Sequence, residues 1–229
     1  MREDLTILFY TSNNISDNFM AATTGQLIKA ADGTPIVSVS QKPMDLGKNI
    51  CVGNLGQHVW NIYHQMLIGA NAAKTKYVAT AEDDVLYSRE HYHDRYPDDD
   101  TFMFDLNRWS LFTWKRPMFS YKPDRMVGHQ MICERKLLIK VLEERFRKYP
   151  RPITVPLEIF GEPGRYEKKL KVSVNKTQVF YSGVPSIIFN HEVAVGYLQI
   201  HGRRKADGPL KTEMLPDWGT AKEVMEWIR

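Results

Sequence analysis

The chain is poor in cysteine: of its 229 residues only Cys51 and Cys133 are cysteines, and neither lies in a CxxC pair. Two thiols are too few for a disulfide framework, so a reducing, cytoplasmic setting is expected. Long apolar runs are also missing. No stretch approaches the roughly 18 residues of a spanning helix, and the opening Met-Arg-Glu-Asp has no apolar core behind it, so the expectation is a protein neither secreted nor membrane-anchored. The glycines at 47, 53 and 56 fit neither GxxxxGK[ST] nor GxGxxG, which excludes a P-loop and a dinucleotide fingerprint. Helix-turn-helix and zinc-finger patterns are absent, and 31 basic against 27 acidic residues leave a formal charge of only +4, a modest footprint for a dedicated duplex-binding protein.

What is present describes an ordinary globular chain, 43% hydrophobic and 25% charged, expected to form one domain. Leu5 to Tyr10 is a continuous apolar strand of the kind buried on both faces of a parallel sheet. Ser16 and Asp17 can cap a helix over Asn18 to Ala30, with Phe19, Thr23, Leu27 and Ile28 near one face. Pro35 to Ser40 reads as a second strand, Leu46 to Gly56 as a glycine-bearing loop, and Gln57 to Ala73 as an amphipathic helix. The succession strand, helix, strand predicts an α/β fold with a mostly parallel central sheet flanked by helices. Ligands in such folds sit at the carboxyl ends of strands, so Thr11, Ser12, Asn13, Gln41 and Lys42 are candidate nucleotide contacts.

The next strand carries the densest chemistry. Tyr77 to Tyr87 is an apolar run interrupted by Glu82, Asp83 and Asp84. Strand alternation predicts that Glu82 and Asp84 face one way and Asp83 the other. Two carboxylates at that spacing can hold a hard divalent cation, and the cation a diphosphate; the bland alternative is an acidic loop after a core strand.

These segments resemble the nucleotide-sugar-dependent glycosyltransferases of the GT-A (Rossmann-like) fold, in particular small family 2-like and phage-type members. The resemblance rests on Tyr10-Thr11-Ser12-Asn13, Leu46-Gly47-Lys48-Asn49-Ile50, and Gln65 to Ala70 leading into Ala81-Glu82-Asp83-Asp84-Val85-Leu86-Tyr87. The last is similar to the family's DxD motif, with Glu82 where its first Asp stands. The resemblance implies a nucleotide-sugar-binding half over residues 1–100 and a smaller acceptor-side half over 101–229. It implies Mn²⁺ or Mg²⁺ on Asp84, Glu82 near the donor ribose with Asp83 beside it, and a UDP-sugar as the expected donor of a hexosyl or pentosyl group. It also places Asn107 and Trp109 near donor or acceptor. A His downstream of the motif often completes the metal site, and His191, following the apolar strand Val184 to Asn190, is the candidate ahead of His201. Arg203, in the basic turn 201–205, is a candidate for neutralising the leaving diphosphate.

An inverting transfer also requires a carboxylate base near the attacking hydroxyl. Glu162, held in a turn between Gly161 and Pro163, is the first candidate and Glu158 the second. The acceptor is either DNA bearing a hydroxylated base or a saccharide or other small molecule. The DNA acceptor is what the resemblance to phage-type members implies; the basic segments 145–151, 165–171 and 203–205 are compatible with it, although 165–171 also reads as a solvated face, and the net charge of only +4 speaks equally for a small acceptor. Two alternatives stay open: a sugar-1-phosphate nucleotidyltransferase, which would normally carry a Gly-rich basic loop where Thr11 to Asp17 has none, and a non-catalytic nucleotide-sugar-binding protein. His91 and His93, at i and i+2, invite a zinc reading that lacks further ligands at suitable spacing. The aromatics between Phe102 and Tyr121 read as core, with a minority available to stack on a sugar or receive a flipped base.

Overall fold

The computed structural model describes residues 3–150, 161–194 and 206–229. In chain order the strands are β1 (Leu5–Thr11), β2 (Ile36–Ser40), β3 (Lys48–Cys51), β4 (Tyr77–Glu82), β5 (Val85–Leu86), β6 (Thr101–Asp105), β7 (Arg108–Phe112), β8 (Phe119–Tyr121), β9 (Met131–Glu134), β10 (Lys176–Phe180), β11 (Ser186–Asn190), β12 (Leu210–Thr212), β13 (Met214–Leu215) and β14 (Gly219–Thr220). The helices are α1 (Asp17–Ala31), α2 (Val59–Ala72), α3 (Arg89–His93), α4 (Arg135–Lys148) and α5 (Glu167–Leu170), with a closing helix at Ala221–Glu226. A single 3-10 turn, Gly128–Gln130, precedes β9.

Seven strands form the main sheet in the order β10-β6-β9-β4-β1-β2-β3. The pairs β1/β2, β1/β4, β2/β3 and β10/β6 are parallel, and β9 alone runs antiparallel to both of its neighbours, β4 and β6. β1 sits inside this sheet and is buried along its whole length. Its alternation feeds two cores. Leu8 and Tyr10 pack with Tyr63 and Met66 of α2 and Leu138 and Val141 of α4, while Leu5, Ile7 and Phe9 pack with Leu27 and Ala30 of α1. Helices on both faces thus cover a sheet whose central strands are buried and mainly apolar, as the parallel arrangement requires. A second sheet, β12-β8-β7-β11-β5, carries a third core closed by the final helix through Val224 and Met225. Among the described residues no helix is long and apolar enough to cross a membrane.

Local signals explain most element ends. The Ser16 hydroxyl accepts from the Phe19 N–H to start α1, and Asp32, with φ 46°, ends it in the left-handed conformation. Two expectations need correction. Ile28 is 55% exposed, because one residue past Leu27 turns the side chain about 100° away from the buried stripe. The stretch read as a loop after Leu46 contains β3, a polar edge strand paired with β2. Its four residues are too short and too polar for alternation to reveal them. Gly47 makes the turn into it, with φ +56° and no room for a Cβ against the Ile36 carbonyl.

Candidate active site at the ends of the central strands

β4 ends at Glu82, and the chain turns at Asp83 and Asp84 before β5. The strict alternation expected across the three acids therefore does not continue past Glu82, and all three carboxylates line one cleft. The turn is held by backbone: the Phe189 N–H donates to the Asp84 carbonyl at 2.8 Å, and β5 pairs antiparallel with β11. Because β11 ends at Asn190, that pairing brings the next residue to the acids. His191 Nε2 lies 3.5 Å from Asp84 Oδ2, with the two side chains 11% and 12% exposed. The pair named from sequence as metal ligands is in contact.

The other acids are fixed by different partners. The Thr11 hydroxyl donates to Asp83 Oδ2. Glu82 Oε2 meets His129 Nδ1 at 3.1 Å, and its charge reaches the buried Tyr10 hydroxyl. Tyr87 ties this corner together, accepting from the Glu82 N–H at 3.0 Å and donating to the His129 carbonyl at 2.9 Å. Sequence reading gave neither Tyr10 nor His129 a role in the site. Tyr10 looked like one more apolar strand residue, and only the insertion of β9 beside β4 brings His129 to Glu82.

Thr11, Ser12 and Gln41 line the cleft with the acids, but Asn13 and Lys42 do not. Asn13, at φ 53°, uses Oδ1 to accept from the backbone N–H groups of Gln41 and Lys42, both at 2.9 Å, and so clamps the ends of β1 and β2 together. The Gln41 amide similarly braces residues 55 and 56, accepting from Leu55 N at 3.0 Å and Gly56 N at 3.1 Å. Asn107 donates to the Ser182 carbonyl at 2.7 Å, and Trp109 packs against Tyr121, so neither lines the acid cleft. Glu158, His201 and Arg203 lie outside the described residues. His91, read as half of a zinc pair, is buried against Asp105 at 3.0 Å. No group of three or more His, Cys, Asp or Glu side chains is arranged to hold a metal ion among the described residues.

Two cavities meet at the acids. One, of ≈ 190 Å³, runs from Glu82, Asp83, Asp84 and His191 past Thr11 and Ser12 to the start of α2, and no Lys or Arg lines it among the described residues. The other, of ≈ 570 Å³, shares Glu82 and Asp84 with the first and extends to His129, Arg125, Glu162 and Arg165. Glu162, 18% exposed, sits 3.8 Å from Arg165 Nη1. A Cβ added to Gly128 would stand 4.0 Å from Glu162 Cγ, so the turn before β9 and the Glu162 turn form facing walls.

The Glu162 turn is anchored from behind by a buried ion pair. Arg145 donates to the Gly161 carbonyl and meets Glu167 at 3.4 Å, and Glu167 accepts from the Gly164 N–H. This corrects two readings of the basic segments. Arg145 is fully buried rather than facing an acceptor, and Glu167 and Leu170 interrupt the expected solvated face at 165–171. A lone Arg in a helix rich in Lys and Arg gives no sign from sequence that its partner lies in a turn beyond the helix.

No family model matches the chain, and no curated protein matches it. Solved structures do. The inositol-1-phosphate CTP transferase of T. maritima is 12% identical, with a TM-score of 0.50 over 99% of this chain and 96% of that one. S. aureus TarS 1-349 in complex with UDP-GlcNAc is 9% identical, with a TM-score of 0.45 over 82% of this chain. A mutant of Drosophila β-1,4-galactosyltransferase 7 in complex with manganese, UDP-Gal and xylobiose is 11% identical, with a TM-score of 0.44 over 96% of this chain. Two of the matched structures, TarS among them, are longer, and the chain spans 50% and 58% of them. The end-to-end likeness to the T. maritima enzyme shows the fold, an α/β, Rossmann-like scaffold.

Three adjacent carboxylates leave an electrostatic signature. Burial first, and then the Asp84 charge, push Asp83 from 3.8 up to about 7, against the Thr11 hydrogen bond. A carboxylate raised in the folded state contributes stability that is fully present below its unfolded value and lost as pH rises through its folded value. Metal-free protein is therefore expected to lose stability between pH 3.8 and about 7. Thermal unfolding of wild type and Asp83→Asn across that window should show the two curves separating as pH rises, with the Asn variant the more stable. Parallel curves would remove the assignment.

Proposed function

We propose that the protein is a divalent-metal-dependent glycosyltransferase that moves a sugar from a nucleoside diphosphate donor, a UDP-sugar first among them, to an acceptor hydroxyl. The observation that carries this reading is the charge of the smaller cavity: three carboxylates and His191, with no Lys or Arg on its walls among the described residues. A diphosphate cannot approach such a surface unaided, whereas a cation between them makes the contact favourable. The residues fit that cation. Asp84 and His191 offer oxygen and imidazole ligands 3.5 Å apart, a donor set suited to Mn²⁺, and the raised Asp83 marks a corner where added positive charge is stabilising. When bound, the metal supplies charge that makes the diphosphate a better leaving group.

The chain's own residues do the rest. The polar ends of β1 and β2 receive the nucleotide, with Thr11 fixing Asp83 and Gln41 bracing the wall at Leu55 and Gly56. Glu82 lines both cavities and orients His129 between them. Glu162, on the far wall of the larger cavity, takes the proton from the attacking hydroxyl as the bond to the sugar forms. That hydroxyl belongs to a hydroxylated base of DNA or to a saccharide.

The deciding experiment incubates the protein with a panel of nucleotide sugars and Mn²⁺ and measures released nucleoside diphosphate. Release with one donor, dependent on Mn²⁺, supports the proposal. Pyrophosphate release from a nucleoside triphosphate and a sugar phosphate would replace it with nucleotidyl transfer, and donor binding without turnover would reduce it to a binding protein.

A further inference from the structure

Resting on that reading of the larger cavity as the acceptor side, we infer that the acceptor carries a phosphate group, held by Arg125 together with Lys122 and Arg165, beside its reacting hydroxyl. The cavity's Glu82 and Asp84 are engaged by His129 and His191. At the other end the charge balance reverses. Lys122, Arg125 and Arg165 line the wall with Asp124 and Glu162, and Arg108 lies buried behind them at 3% exposure. Three cations therefore stand with two carboxylates on this wall, with a fourth cation, Arg108, buried behind it.

The bonding of these cations is incomplete in a specific way. Arg108 directs Nε and Nη2 at the Arg125 carbonyl, both at 3.3 Å, and forms no ion pair with any described residue. Arg165 is 3.8 Å from Glu162 and donates to the Met126 carbonyl at 3.2 Å. The Arg125 guanidinium, only partly exposed, and the exposed Lys122 ammonium make no hydrogen bond or ion pair with any described residue. Burial, followed by the Arg125 charge, presses Arg108 down to about 10, and burial lowers Arg125 as well. A surface cation that simply faces water carries no such desolvation. Glu162 is the carboxylate whose charge acts on both Arg125 and Arg108, and it forms no direct hydrogen bond to either. Guanidinium groups drawn out of water in this way are stabilised further by an anion that brings several acceptor oxygens, and the planar fork of Arg matches phosphate.

Phosphate on the acceptor comes either as a phosphodiester in a nucleic acid or as a phosphomonoester on a small polyol. The test is calorimetric titration of the whole protein, without donor or metal, using glucose, glucose 6-phosphate and a short single-stranded oligodeoxynucleotide as probes. A phosphate-bearing probe should bind about 10-fold or more tightly than glucose, and Arg125→Gln should remove that advantage, the scale of a lost charged hydrogen bond. Arg125→Lys should retain part of it. A phosphate-bound oligonucleotide that outcompetes glucose 6-phosphate and weakens steeply with salt identifies a nucleic-acid source. The reverse ranking identifies a small acceptor. Phosphate probes no better than glucose, or an advantage that survives in a folded Arg125→Gln protein, overturn the inference. Because Asp84→Ala should leave phosphate-probe binding intact while donor turnover fails, loss of the transferase reading and loss of this one give different results.

Discussion

Asp84→Ala is expected to abolish Mn²⁺-dependent binding of a nucleoside diphosphate donor and to leave the fold in place. The turn that presents Asp84 is secured through its backbone carbonyl and the β5/β11 pairing, which survive truncation of the side chain. Removing Asp84 also relieves the charge that helps to raise Asp83, so thermal stability should hold or rise while function is lost. Donor affinity should fall by about 100-fold or more, since residues that merely orient a metal ligand are already worth about 10–100-fold in metal affinity. Calorimetric titration of UDP with and without Mn²⁺, beside thermal unfolding of the same samples, checks both halves. Unchanged Mn²⁺-dependent affinity in the folded variant would remove the metal role from Asp84.

Glu162→Gln is expected to reduce transfer by about 100-fold or more, with donor affinity unchanged, the usual scale for loss of a general base. The substitution preserves side-chain volume, and the Arg145–Glu167 pair holds the turn through Gly161 and Gly164 rather than through Glu162 itself. Among the described residues its ion-pair partner is Arg165, in a partly exposed pair of small energetic weight. A large fall in kcat with constant donor KM is therefore the signature to seek. A near-normal rate would move the base to Glu158 or favour a retaining mechanism.

The first hundred residues were legible in the sequence because their signals are local. β1, α1, α2 and β4 announce themselves by apolar periodicity, and the acids stand at a strand end. The remainder of the chain depends on pairings between distant segments. Nothing in Met131 to Glu134 says that it lies antiparallel between β4 and β6, yet that placement sets His129 against Glu82. The polar residues at the strand ends divide in the structure: Thr11 and Ser12 face the cleft, while Asn13 supports backbone N–H groups. An Asn that tolerates positive φ and carries an acceptor is well suited to either task, and sequence alone does not separate them.

The position of β9 also governs the order in which the chain can assemble. β1, β2 and β4 with their helices are complete once residue 82 has been synthesised, but the β4 edge that β9 later covers is then unpaired. β6 emerges before β9 and cannot take that edge in its native place. Until β9 is in place the edge of β4 is open, and an unpaired strand edge is a template for non-native pairing. The same step that seals the edge brings His129 to Glu82, so chains that misassemble before it cannot form the contact between the two cavities.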